Sequence, residues 1–207
     1  QTMAKLEHEM GLHATYYFRA KSHTFQPDLI REVSELGHEI GYHYESLSDT
    51  NGDMEAALSD FRANLGKFRK ICDIHTISMH GQPLKPIDNR DLWRKPEHNR
   101  MLKEEFGLLG EIYLEIDYSG IAYINDTGRN WTDNRQNIRD TVGSDISTAL
   151  DGAESLLKAL ETKRFPKIVF QIHPERWEEN PLRWMYQWSF DMAANGAKWL
   201  LNTVTPA

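Results

Sequence analysis

A chain of 207 residues, 40% hydrophobic and 27% charged, is long enough for one ordinary hydrophobic core. With 31 acidic against 24 basic residues, its net charge of -7 argues against a general nucleic-acid binder, and no apolar run approaches the ~20 residues of a membrane helix. The single cysteine, Cys72, excludes an internal disulfide framework or a Cys-rich zinc site and fits a cytoplasmic setting slightly better than a secreted one.

Met3, Leu6 and Met10 fall on one face of a helix that Gly11 can close. His13 to Arg19 is rich in aromatic and β-branched residues and predicts a strand. Asp28 to Leu36 predicts a helix with Ile30, Val33 and Leu36 inward, stopped by Gly37. A short strand over Glu39–His43 leads into a polar loop, Glu45 to Gly52. Asp53 to Lys70 predicts a long helix with Met54, Ala57, Leu58, Phe61, Leu65 and Phe68 on one face. His75–Met79 predicts a third strand.

Past Pro83 the pattern is irregular to about Asn99. A short helix is expected over Met101–Phe106, with strands near Leu109–Glu115 and Ala122–Ile124. Asn125 to Asp140 predicts a long loop, Ala149–Leu160 a helix, and Lys167–Ile172 a buried-type strand ending at His173-Pro174. The last helix, from about Pro181 to Leu201, carries Trp184, Trp188 and Trp199 as a helical stripe suited to core packing. Strands alternating with helices over short connections indicate a parallel α/β sheet or barrel in one domain, 1–207.

Such folds place their chemistry on the loops after the strands. Polar clusters fall there: Arg19; His43-Tyr44-Glu45; His80-Gly81; Asp126-Thr127-Gly128-Arg129; and His173 to Trp177. Histidines and carboxylates at one rim compose a metal site or an acid–base site. His43 and Glu45 point to the same side of an extended chain, as a chelating pair, as a ligand with its orienting carboxylate, or as a surface pair. His80 is read either as a ligand or as a turn cap, and His173 is poised for pKa tuning. Asp126 and Arg129 suit a substrate carboxylate or sugar hydroxyls, or each other. Trp131 and Trp177 are candidates for a substrate wall, and Arg19 and Arg176 for substrate contacts. No Gly-x-Ser-x-Gly elbow, P-loop or dinucleotide turn is present.

Gly37-His38-Glu39-Ile40-Gly41-Tyr42-His43 resembles the second motif, Gly-His-Glu-Ile-Gly-Asn-His-Thr, of the polysaccharide deacetylase (NodB homology) family. Ala14-Thr15-Tyr16-Tyr17-Phe18 is similar to that family's Ala-Thr-Phe-Phe strand, and the strand ending in His173 to its final motif. His43-Tyr44-Glu45, Met79-His80-Gly81, Asp126 to Arg129 and His173 to Trp177 are closest to a divergent, sugar-processing branch. The resemblance implies a distorted (β/α) barrel and a divalent metal, zinc in most members, that activates water against the acetamide of an amino sugar or glycan. By position, His43 matches the first metal histidine and His173 the general acid. Leu47 stands where the second metal histidine is expected, so Glu45 or His80 must substitute, with Glu45 also available for proton transfer.

The family's first acidic motif falls upstream of Gln1, and the domain is expected to be incomplete at that end. The leading expectation is a metal-dependent amidohydrolase that removes an acyl group from an amino sugar. Two others stand beside it: a scaffold that kept the sugar groove without hydrolysis, and a hydrolase of non-sugar amides.

Overall fold

The computed structural model describes residues 2–82, 85–127, 131 and 139–204. The chain divides into two compact units, Gln1–Ile116 and Asp117–Ala207. Both are α/β with parallel strands.

In the first unit, α1 (Thr2–Glu9) precedes β1 (Thr15–Phe18), α2 (Pro27–Glu35), β2 (Glu39–Tyr44), α3 (Ser46–Asp49), α4 (Met54–Phe68) and β3 (Thr76–Met79). Then come α5 (Asp91–Arg94), α6 (Pro96–Glu104), β4 (Gly110–Glu111) and α7 (Ile112–Glu115). The strands form one sheet in the order β1-β2-β3-β4. Each strand therefore pairs with its predecessor through a helical crossover, the connection that parallel pairing requires. Tyr17 lies opposite Gly41, and His43 opposite Ser78.

Period-two alternation gives this sheet two unlike faces. Ile40, Tyr42, Tyr44, Ile77 and Met79 join the core, where α4 presents Ala57, Phe61, Leu65 and Phe68 at helical spacing. Tyr42 sits 5.3 Å from the Phe61 ring and 5.1 Å from Phe68. Asp53 caps α4 by accepting from the Ala56 N–H, as its short carboxylate suits it to do. The other face is polar: Glu39 accepts from the hydroxyls of Thr15 (2.6 Å) and Thr76 (2.7 Å), and Tyr17 Oη lies 2.9 Å from Thr76 Oγ1. The Tyr17 ring lies over Gly41 so closely that a Cβ there would stand 2.2 Å from its Cε1.

Several expectations change here. The loop after β2 holds α3, and the irregular stretch before Asn99 holds α5 and the start of α6. The strand expected over Leu109–Glu115 shrinks to β4, because Glu111 turns the chain into α7 by capping the Tyr113 N–H. Cys72 is part-buried, and burial, then the nearby Asp73 charge, raises its thiol pKa.

The second unit holds β5 (Ala122–Asn125), α8 (Gly152–Glu161), β6 (Ile168–Gln171), a 3₁₀ turn at Pro174–Trp177 and α9 (Pro181–Val204). β5 and β6 pair in parallel from Ala122↔Ile168 to Asn125↔Gln171. Its core is small: Ala122, Ile124, Leu150, Leu156, Ala159 and Phe165. β6 is not the buried strand its composition suggests, since Phe170 is 43% exposed. The tryptophan stripe of α9 also differs from its reading as core. Trp184 and Trp188 are 40% and 44% exposed and stack on each other at 6.5 Å, which satisfies the helical spacing without a buried partner layer. The Trp199 side chain lies outside the described residues.

Candidate functional sites

At the carboxyl ends of β1, β2 and β3, the first unit gathers Arg19, His43, Glu45 and His80. Glu45 is the centre, with a side chain only 5% exposed. Arg19 Nη2 donates to Oε2 at 2.8 Å and to Oε1 at 3.1 Å, Gln82 Nε2 donates to Oε2 at 2.9 Å, and Lys21 Nζ stands 2.9 Å from Oε1. His80 Nδ1 comes within 2.9 Å of Oε2, a contact that is an ion pair when the ring is protonated. Such a convergence of cations is what allows a carboxylate to leave water.

His43 is held differently. Its Nδ1 lies 3.0 Å from the Ser78 carbonyl across the β2–β3 ladder. A carbonyl only accepts, so Nδ1 carries the proton and the ring's lone pair is on Nε2. His80 meets the same ring edge to face, with centroids 5.1 Å apart. The carboxylate beside His43 in sequence thus serves His80 and Arg19.

Two further residues fix His80. Its backbone N–H continues the ladder to the Tyr44 carbonyl at 2.8 Å. Asn89, buried, accepts from the Ser48 N–H at 2.9 Å and donates to the His80 carbonyl at 2.8 Å. Sequence reasoning missed Lys21, Gln82 and Asn89. Lys21 lies two residues past Arg19 and Gln82 two past His80, a spacing that hints at the first two. Asn89 left no signal, because it acts across 41 residues.

These residues test the expected metal. Glu45 gives both oxygens to donors, and Leu47, at the position of the missing histidine, is 2% exposed and part of the core. Among the described residues, no group of three or more His, Cys, Asp or Glu side chains is arranged to hold a metal ion. The described donor set is two imidazoles, too few for the sites that zinc occupies.

The second unit builds its cluster where β5 and β6 end. Asp126, with a side chain 4% exposed, accepts from the His173 N–H at 3.0 Å on Oδ2, and His173 Nδ1 lies 2.6 Å from Oδ1. Arg176 Nη1 donates to Oδ1 at 2.8 Å and to the Asp126 carbonyl at 2.7 Å, while Trp177 Nε1 donates to Oδ2 at 3.3 Å. Arg176 Nε also lies 3.6 Å from Oδ2 of the buried Asp191, a further partner the sequence did not reveal.

Burial alone would raise the Asp126 pKa. The His173 hydrogen bond and charge, the Arg176 charge and the His173 N–H outweigh it, and the net shift is downward. Asp126 and Arg176, read from sequence as substrate contacts, are engaged in orienting His173. Trp131 stacks on Phe170 at 5.4 Å and lies 6.1 Å from the Trp177 ring; Trp177 is half exposed. Arg129 lies outside the described residues.

No family model, curated protein or solved structure matches the chain. What the sites can do is therefore argued from their own chemistry. An imidazole whose Nδ1 is tied to a buried carboxylate keeps one tautomer and offers Nε2 for proton transfer. An exposed aromatic shelf beside it suits the apolar face of a sugar ring.

Proposed function

We propose that the chain is a carbohydrate-deacetylase-type amidohydrolase, built on a distorted (β/α) barrel, that hydrolyses the acyl amide of an amino sugar in a glycan. The observation that carries this reading is the 2.6 Å contact between His173 Nδ1 and Asp126 Oδ1 at the ends of β6 and β5. In the proposed step, water adds through its oxygen to the acyl carbon and gives one proton to solvent, while the His173 imidazolium passes its Nε2 proton to the amide nitrogen as the C–N bond breaks, releasing the carboxylic acid and the amine. Asp126, accepting from Nδ1–H, orients the ring and stabilises the imidazolium that donates from Nε2, and the Trp131–Phe170–Trp177 shelf seats the sugar. The zinc ion that the family resemblance implies needs ligands beyond His43 and His80, so no step is drawn through it.

The test is acetate release from N-acetylated oligosaccharides. His173→Ala should cut the rate by about a hundredfold or more without weakening oligosaccharide binding. An unchanged rate would overturn the role of His173.

A second reading, a carbohydrate-binding protein without hydrolysis, is favoured by the same aromatic shelf together with the incomplete donor set around Glu45. Oligosaccharide binding with no acetate release by the unaltered protein, abolished by Trp177→Ala, would establish that reading instead.

A further inference from the structure

α9 turns a polar stripe inward and an apolar stripe outward. Asp191 is its one buried side chain among the described residues. Gln187 Nε2 donates to Asp191 Oδ1 at 3.1 Å, and Arg176 Nε stands 3.6 Å from Asp191 Oδ2. Gln187, Asp191 and the part-buried Asn195 recur every four residues, so they share one face of the helix. The opposite face is uncovered: Leu182 is 77% exposed, Met185 58%, Tyr186 76% and Phe190 62%. A surface helix ordinarily has the reverse arrangement.

The size of this patch calls for a cover. Scaled from the ~150–250 Å² of a large side chain, the four exposures leave on the order of 500 Å² in water, the top of the range seen for monomers. Buried on two copies together, that is about 1,000 Å², the threshold for a specific interface.

The order of sizes along the stripe argues for a second copy of this chain. Leu182, Ser189 and Gly196 recur every seven residues with Met185 and Met192 between them, the a and d spacing by which one helix packs along another. The amino-terminal half of the stripe is bulky and the carboxyl-terminal half is small. A two-fold axis through Ser189 sets two copies antiparallel, with Leu182 against Gly196, Met185 against Ala193 and Tyr186 against Met192. Large side chains of one copy then meet small or flexible ones of the other, the self-complementarity that an isologous contact demands. A Cβ on Gly196 would meet nothing within 4 Å, so that space is open to the Leu182 side chain of the other copy.

Charge agrees. From Leu182 to Gly196 the only charged residues are Arg183 and Asp191, and Asp191 is buried, so like charges do not oppose each other near the axis. A helix that lies on a membrane surface carries a lysine- and arginine-rich polar face, which this segment lacks.

We infer that the outward face of α9 pairs two copies of this chain, antiparallel about a two-fold axis at Ser189. The inference rests on the second unit alone and does not depend on the deacetylase reading.

Sedimentation equilibrium of the full chain tests it, with Tyr186→Glu as the disrupting variant. A dimer at micromolar concentration is expected, and Tyr186→Glu should weaken it by about tenfold or more. Because Tyr186 is exposed, this variant should keep the circular dichroism of the parent. Oxidative cross-linking in a Cys72→Ser background reads the register. Ser189→Cys should link two copies, since it meets its own counterpart at the axis within disulfide reach. Leu182→Cys should not, because its counterpart lies about 20 Å away along the antiparallel pair. A monomeric parent, a dimer indifferent to Tyr186→Glu, no linkage through Ser189→Cys, or equal linkage through Leu182→Cys would overturn the proposal. So would a monomer that co-sediments with phosphatidylcholine–phosphatidylserine vesicles, which would make the face a lipid-binding one.

Discussion

Glu45 and Asp126 are the same device built on different foundations. Each is a carboxylate buried at the end of a parallel strand, and each engages an arginine and the Nδ1 edge of a histidine. Glu45 stands on a four-stranded sheet backed by the aromatic layer of Tyr42, Tyr44, Phe61 and Phe68. Asp126 stands on two strands with a small core, and its side-chain partners, 47 to 51 residues further on, all come from one short segment, His173 to Trp177. The difference teaches that a buried charge can be supported either by the fold beneath it or by its own immediate partners. Substitutions should separate the two cases.

The largest effect is expected at Glu45. Glu45→Ala removes the carboxylate that Arg19 and Lys21 share, leaving Lys21 to Asp49. It should cost about 3 kcal/mol, at the low end for a buried pair because both cations are partly exposed; urea denaturation would measure it. A loss below about 0.5 kcal/mol would place Glu45 among the weak surface pairs and break the comparison. Gly41→Ala tests the sheet beneath the site. The added methyl drives into the Tyr17 ring and should cost about 2 kcal/mol as an overpacked contact. A doubled variant, Gly41→Ala with Tyr17→Ala, should recover part of it if the ring is the cause.

At Asp126 the effect should be smaller in stability and larger in chemistry. Asp126→Asn retains an acceptor and should cost about 1 kcal/mol. Its amide N–H₂ can nevertheless face His173 Nδ1 and move the ring proton to Nε2. Nitrogen NMR of the imidazole reads the tautomer directly, and an unchanged tautomer would remove Asp126 from the positioning role.

The finest test uses a third carboxylate, Glu111, which is fully buried. It accepts from the Met79 and Tyr113 N–H groups at 2.9 and 2.8 Å. Burial, only partly offset by these bonds, pushes its pKa up to about 7. The folded state therefore keeps a proton that the unfolded chain has already released, so stability from this group is full at low pH. It is lost as pH rises from the ordinary glutamate range to about 7. Glu111→Gln should flatten that part of the melting temperature against pH; an identical slope in both proteins would refute it. Asp126 has the opposite sign. Its depressed pKa contributes stability above the ordinary aspartate range, and this is lost as the medium is acidified below it.

Much of the first unit was legible in the residues. The helix centred on Phe61, the strand from Glu39 and the stops at Gly11 and Gly37 follow from periodicity and from the positive φ that glycine tolerates, 69° and 88° at these two positions. The chemistry-bearing strand ends were legible too, since Arg19, His43, Glu45 and His80 interrupt apolar alternation where a strand should stop. The four-residue α5 was not, because so short a helix holds less than two turns of pattern, and Trp93 alone does not declare which way it faces. Trp184 and Trp188 show the converse: a spacing of four reports a shared helix face but not whether another layer covers it.

Local sequence thus determined the alternation of parallel strands and helices and which residues had to leave the core, because side-chain period and backbone preference act over a few residues. Tertiary structure alone decided that Glu45 serves Arg19 and His80 instead of its neighbour His43, that Asp126 serves His173, and that Asn89 locks the loop after β3. Those choices depend on the register between strands far apart in the chain. A hydrogen bond or ion pair forms only where that register brings its two ends within about 3 Å.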